Sequence, residues 1–238
     1  MKPELYLRLR EKEGRLYSDD IVASLPLIPV GHRFAAEWRA RARSASRLIR
    51  YLSARPRPLS ILELGCGNGW LSNLLSKAGH SVFGMDQNRH ELKQAARVFR
   101  ERSHLSFFEA DIFSAPFISA RFDVIILASV LQYFQDAPGL MSVLSNYLKP
   151  QGEIHILDTR LYLDSELDAA VIRSQQYYAS LGFPEMMRYY FHHRASDLDA
   201  LHPKILYDPQ ALALRVKRWL GWVDSPFPWI FFIKQDAE

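Results

Sequence analysis

With 238 residues, 48% of them hydrophobic and 24% charged, the chain is long enough for one large domain with an appendage, and its composition excludes wholesale disorder. Its one cysteine, Cys66, excludes an intrachain disulfide and any metal site built from several thiolates, so no metal centre is expected and a reducing, cytoplasmic setting is. The net charge of +4 is unevenly spread: Arg33, Arg39, Arg41, Arg43, Arg47, Arg50, Arg55 and Arg57 stand against the single Glu37 in one short stretch.

The first twenty residues carry too much charge to be the apolar core of a signal peptide, and no apolar run approaches the roughly 20 residues of a membrane helix. Residues 1–57 read as an N-terminal helical cap, closed at Pro56 and Pro58, which disfavour helix continuation. Residues 58–238 read as the main domain. From Ser60 short apolar runs alternate with amphipathic stretches, the pattern of β-α units around a parallel sheet. The predicted strands are 60–64, 81–86, 105–110, 122–128 and 153–158, with helices at about 69–78, 89–102 and 138–148, the last closed by a turn over Lys149-Pro150-Gln151-Gly152. Right-handed crossovers then align the strand C-termini along one sheet edge, where ligands of open α/β sheets bind.

After Asp158 the alternation fails. Residues 160–206 are aromatic and helix-like and read as a lid-like insertion over the strand ends. Asp208-Pro209 is the expected N-cap and first-turn pair of a final helix to about Leu220, and 229–234 a closing strand.

The segment ILELGCGNGWLS, residues 61–72, runs from a buried strand through Gly65, Gly67 and Gly69 into a helix. Such glycines let a ligand approach the backbone closely, and the helix N-terminus favours an anionic group. A P-loop would need a following Lys-Ser/Thr, which is absent. A dinucleotide fingerprint would need a third glycine where Trp70 stands, which disfavours a nicotinamide cofactor.

This segment resembles the first motif of the class I S-adenosylmethionine-dependent methyltransferases, and the resemblance runs at family-like spacing from Ser60 to Asp158. It implies a Rossmann-like three-layer α/β sandwich with a seven-stranded, mostly parallel sheet. It also implies a cofactor, S-adenosylmethionine, cradled by Gly65, Cys66, Gly67, Asn68 and Gly69. By the same resemblance Asp86, with Gln87 beside it, holds the ribose hydroxyls, Asp111 and the backbone of Ile112 read the adenine edge, and Ala128, Ser129 and Gln132 lie near the methyl-transfer pocket. LKPQGEIHILD resembles the family's turn and fifth strand. Glu63 either contacts the cofactor's amino group or braces the loop.

Several residues have two readings. Cys66 lacks a neighbouring pattern that would activate it and reads as structural. The arginine-rich stretch suggests RNA, yet a helix with Phe34, Trp38, Leu48, Ile49 and Leu52 inward and arginines outward explains it, and one arginine there could hold the cofactor's carboxylate. His192 and His193, in the insertion, are the candidate proton acceptors, weighed against a structural pair. Tyr177, Tyr178, Tyr189 and Tyr190 either line an acceptor pocket or pack the insertion; His155 reads as a core residue. The expected activity is methyl transfer to a small-molecule acceptor. The alternatives are an RNA methyltransferase, a non-catalytic S-adenosylmethionine-binding protein and a nucleotide-dependent oxidoreductase.

Overall fold

The computed structural model describes residues 2–220 and 224–234. Its strands are β1 (Ser60–Leu64), β2 (Ser81–Asp86), β3 (Leu105–Glu109), β4 (Phe122–Ala128), β5 (Leu148–Leu157), β6 (Lys204–Tyr207) and β7 (Trp229–Ile233). Its helices are α1 (Pro3–Lys12), α2 (Asp19–Ser24), α3 (Ala35–Ser53), α4 (Trp70–Lys77), α5 (Arg89–Val98), α6 (Ala137–Tyr147), α7 (Asp164–Ser180) and α8 (Leu212–Trp219).

The strands form one seven-stranded sheet in the order β3-β2-β1-β4-β5-β7-β6. The first five are parallel, and β7 lies antiparallel between β5 and β6. The centre is occupied by β1 and β4 because SILEL and FDVIILA carry apolar side chains toward both faces, as a strand covered by helices on both sides requires. Alternate residues then feed two cores. Leu62, Leu64, Ile125 and Leu127 pack with Leu140 and Leu144 of α6 on one face, while Ile61, Val124 and Ile126 pack with Leu48 and Leu52 of α3 and Leu71 and Leu75 of α4 on the other. The strand order reverses between β1 and β4, so the loops leaving these two strands open a crevice at the sheet's C-terminal edge.

Helix α3 is a layer of the sandwich: Trp38, Ala45, Leu48 and Leu52 recur at helical spacing and are buried, with Phe34 and Ile49 packed beside them. Its arginines do not form a uniform solvent face. Arg41 pairs with Glu37 at 3.1 Å, and Arg47 lies 3.8 Å over the Tyr207 ring while its Nη1 meets Asp224 at 2.8 Å. A third, smaller core joins Leu5 and Leu9 of α1 to Tyr178, Phe183 and Met186. This contact docks α1 against the segment after β5 and holds it over the crevice. Among the described residues no helix is long and apolar enough to cross a membrane.

Three elements differ from the sequence reading. Strand β5 starts at Leu148, because Leu148 pairs with Phe122 ahead of a register shift, and the Lys149–Gly152 segment is an irregularity within the strand. The segment 160–206 holds α7, two 3-10 turns at Pro184–Arg188 and Ser196–Leu201, and strand β6. Helix α8 starts at Leu212: Asp208 closes a turn instead, its carboxylate accepting the Gln210 N–H at 2.8 Å.

Candidate functional site

The site is built on the loop leaving β1. Gly65 (φ +72°) and Gly69 (φ +75°) adopt left-handed backbone, and neither has room for a side chain. A Cβ on Gly65 would meet Val130 Cγ2 at 2.2 Å, and one on Gly69 would meet Phe107 Cζ at 2.5 Å. The Gly65 and Cys66 N–H groups donate to the Met85 carbonyl at 2.7 and 3.1 Å, tying this loop to the end of β2. Asp86, the last residue of β2, accepts the Gly67 N–H at 2.9 Å and the Asn88 N–H at 2.8 Å.

Three adjoining cavities follow the strand ends. The first lies between the loops after β1, β2, β3 and β4, where Gly65, Asp86, Gln87, Ile112, Ser129 and Val130 face Pro3 and Tyr6 of α1. The second contains Glu63, Cys66, Asn68, Ala128 and Glu91, with Arg15, Arg41 and Glu37 opposite. The third is walled by one face of α7, residues Ala170, Arg173, Ser174, Tyr177 and Tyr178 at helical spacing, together with Tyr162 and Tyr190. Tyr133 borders all three, and Arg10 borders the second and third, its Nη2 donating to the Tyr133 hydroxyl at 2.7 Å.

Most of the sequence-predicted cofactor residues converge here: Glu63, Gly65, Cys66, Gly67, Asn68, Asp86, Gln87, Ile112, Ala128 and Ser129 all line the first or second cavity. Gly69 does not line them; it caps the N-terminus of α4. Asp111 does not line them either. Its side chain is exposed and caps the next turn by accepting the Phe113 N–H at 3.0 Å, leaving Ala110 and Ile112 to border the cavity. Trp70 is buried edge-on against Trp38, with ring centroids 5.3 Å apart. His193 is buried with Nε2 on the Leu131 carbonyl at 3.1 Å, a structural contact, and His155 is a core residue between Glu153 and Trp229. The wall residues contributed by α1, and Glu91 on α5, were not expected from the sequence.

The acids of the site are held unusually basic. Burial pushes Glu63 up to about 8, against a hydrogen bond from the Ser72 hydroxyl, and pushes Glu91 up to about 7 with the Asp86 charge adding to the effect. Asp86 is raised as well by burial, opposed by the backbone N–H groups it accepts. Among the described residues no cation forms an ion pair with Glu63, Asp86 or Glu91. Burial also pushes the Cys66 thiol well up, which suits a packing role.

A pH effect on stability follows with a definite sign. Glu63 and Glu91 have folded pKa values above their unfolded ones, so the folded state holds more protons in between. The stability they contribute is present below the ordinary glutamate range and is lost as pH rises through about 7 to about 8. The melting temperature of the ligand-free protein is expected to fall across that window, and Glu63→Gln to flatten the fall. An unchanged slope in that variant, measured by calorimetry, contradicts the assignment.

Residues 62–156 match the family model described as a methyltransferase domain. The chain is 31% identical over 116 residues to a 2-phytyl-1,4-naphtoquinone methyltransferase of Trichormus variabilis, covering 46% of this chain and 50% of the relative. It is 31% identical over 111 residues to a malonyl-[acyl-carrier protein] O-methyltransferase of Pseudescherichia vulneris, covering 47% of this chain and 43% of the relative. The chain thus spans about half the length, or less, of these curated relatives. Among solved structures, magnesium protoporphyrin IX methyltransferase from Synechocystis with bound SAH superposes with a TM-score of 0.61 at 16% identity, covering 94% of this chain and 93% of that one. An S-adenosylmethionine-dependent methyltransferase from Mesorhizobium loti superposes with a TM-score of 0.55 at 18% identity, covering 83% and 96%. Residues 62–156 are thus similar to a methyltransferase domain, and the chain shares the Rossmann-like fold of these solved structures.

Proposed function

We propose that this chain is an S-adenosylmethionine-dependent methyltransferase acting on a small-molecule acceptor in the cytoplasm. The observation that carries the reading is the half-buried Asp86 carboxylate at the switch point of the sheet: it has no ion-pair partner among the described residues, is fixed by the Gly67 and Asn88 N–H groups, and borders a cavity floored by glycine backbone. A carboxylate has about four lone-pair positions, so two remain for a vicinal diol. The residues present fit the cofactor on this test. Apolar Ile112 and Val130 suit the flat faces of an adenine. Glu63, Asp86 and Glu91, which make no ion pair among the described residues, form an acidic set that complements a ligand bearing a sulfonium and an ammonium group, and Arg15 and Arg41 offer guanidinium groups to a carboxylate. The single, buried cysteine supports a reducing cytoplasmic setting.

When bound, the cofactor supplies a methyl group already activated for displacement. The protein's part is then to align, to desolvate and to accept a proton. Tyr6, Tyr133 and Arg10 stand between the cavities and set the line of approach, while α1 and α7 cover the strand ends and keep water out. The phenol-walled third cavity is what supports a small acceptor in place of RNA or a protein.

Isothermal titration of the purified protein with S-adenosylmethionine and with S-adenosylhomocysteine tests the reading. Binding of both is expected, with dissociation constants on the order of micromolar, about −8 kcal/mol. Absence of heat and of a thermal shift with both compounds, in folded protein, would overturn it.

A further inference from the structure

We propose that Ser174 and His192 form a proton relay serving the third cavity, and that the acceptor seated there is an acidic aromatic hydroxyl, a phenol. This rests on the methyltransferase reading and deepens it.

Ser174 lies on the cavity-facing side of α7, and its hydroxyl is 2.8 Å from His192 Nε2. The Ala170 backbone carbonyl favours an N–H on the same imidazole. With that proton placed, Nε2 is left as the acceptor of the Ser174 O–H. His192 itself is not a wall residue; Tyr162 and Tyr190 flank its ring at centroid distances of 5.4 and 5.2 Å and separate it from the guest space. Ser174 is the group that touches the acceptor, and His192 acts through it. The charged and titratable groups facing the ring are Arg173 on its own side of α7, His193 beside it, and the two tyrosines. Burial first, then His193 and Arg173, hold His192 below its ordinary pKa, so the imidazole is neutral and ready to take a proton at pH 7.

The acceptor class follows from what such a base can do. An imidazole this weak takes a proton effectively only from a hydroxyl not far above it in pKa. A phenol, at about 10, is within reach once a cation stabilises its anion, and an aliphatic alcohol is not. The cavity supplies both requirements. Tyr133, Tyr178 and Tyr190 meet edge to face, at 6.0 Å for the first and third and 5.6 Å for the second and third, a wall suited to an aromatic ring. Arg173 supplies positive charge in this wall and makes no ion pair among the described residues, whereas Arg10 is paired there with Glu13 at 2.6 Å.

In the step, the acceptor's O–H bond breaks as its proton goes to Ser174 Oγ, and the Ser174 proton passes to His192 Nε2. The freed oxygen lone pair forms the bond to the methyl carbon, and the electron pair of the broken carbon–sulfur bond leaves with sulfur. The proton rests on His192 until water removes it.

The test uses 4-nitrophenol, whose anion absorbs visible light, titrated with the full-length protein saturated with S-adenosylhomocysteine. The wild type is expected to bind it and to move its ionisation midpoint to lower pH by about one unit. Ser174→Ala and His192→Gln are expected to return most of that shift, and Ser174→Thr, which keeps a hydroxyl, to retain it, with S-adenosylhomocysteine affinity unchanged within about twofold in all three. Failure of the wild type to bind 4-nitrophenol while it binds S-adenosylhomocysteine, or equal midpoints in all four proteins, overturns the relay. Failure of the wild type to bind S-adenosylhomocysteine overturns the methyltransferase reading instead.

Discussion

Replacing Asp86 by alanine is expected to weaken S-adenosylmethionine binding on the order of 100-fold. Hydrogen bonds to a charged group are worth about 1.5–3 kcal/mol each, so the loss of two to a diol costs about 3 kcal/mol at the low end of that range. The same substitution removes the acceptor for the Gly67 and Asn88 N–H groups, so the loop is expected to loosen and the melting temperature to drop by a few degrees. Calorimetric titration of folded variant protein separates the two effects. An affinity within threefold of wild type would show that the carboxylate does not grip the cofactor.

The second large effect is expected at Gly65. Alanine there must adopt a φ of +72°, which costs about 1–2 kcal/mol outside glycine, and must push Val130 Cγ2 away from 2.2 Å, at a further cost of about 1–3 kcal/mol for overpacking. The sum, about 3 kcal/mol, corresponds to a fall of roughly 6–12 °C in melting temperature for a chain of this size. Gly79→Ala is the comparison: its φ is +94° but open space surrounds the site, so only the backbone part of the cost applies. Gly65→Ala combined with Val130→Ala is expected to recover part of the loss. Equal effects at positions 65 and 79 would show that the contact between the loops after β1 and β4 is slack.

Strands β1, β2 and β4 could be read to the residue because each is a short apolar run bounded by glycine, proline or charge, and a doubly covered strand has no other appearance. Strand β6 could not. Lys204, Ile205 and Leu206 are exposed on the sheet's edge, so KILY carries no burial pattern to recognise. Asp208-Pro209 has the chemistry of a helix start, but the turn at Gln210 captured the carboxylate first. Asp111 occupies the position that the resemblance assigns to the adenine edge, and in the ligand-free chain its carboxylate caps the next turn by accepting the Phe113 N–H, a local contact the motif does not announce. His192 and His193 are indistinguishable in sequence, and only the backbone direction sends one toward Ser174 and the other toward Leu131. Helix α1 was legible as a helix, but Leu5 and Leu9 pack on the Tyr178 cluster and Tyr6 and Arg10 reach Tyr133, more than 120 residues away, and nothing local encodes that distance.

The placement of α1 bears on turnover. Ten residues roof the first cavity through Tyr6 and border the third through Arg10, while Leu5 and Leu9 pin them to the Tyr178 cluster. Both guests therefore share one door, hinged on two leucines. On the proposed function, loosening this latch, as in Leu9→Ala, is expected to speed release of the spent thioether, read as a faster dissociation rate of S-adenosylhomocysteine.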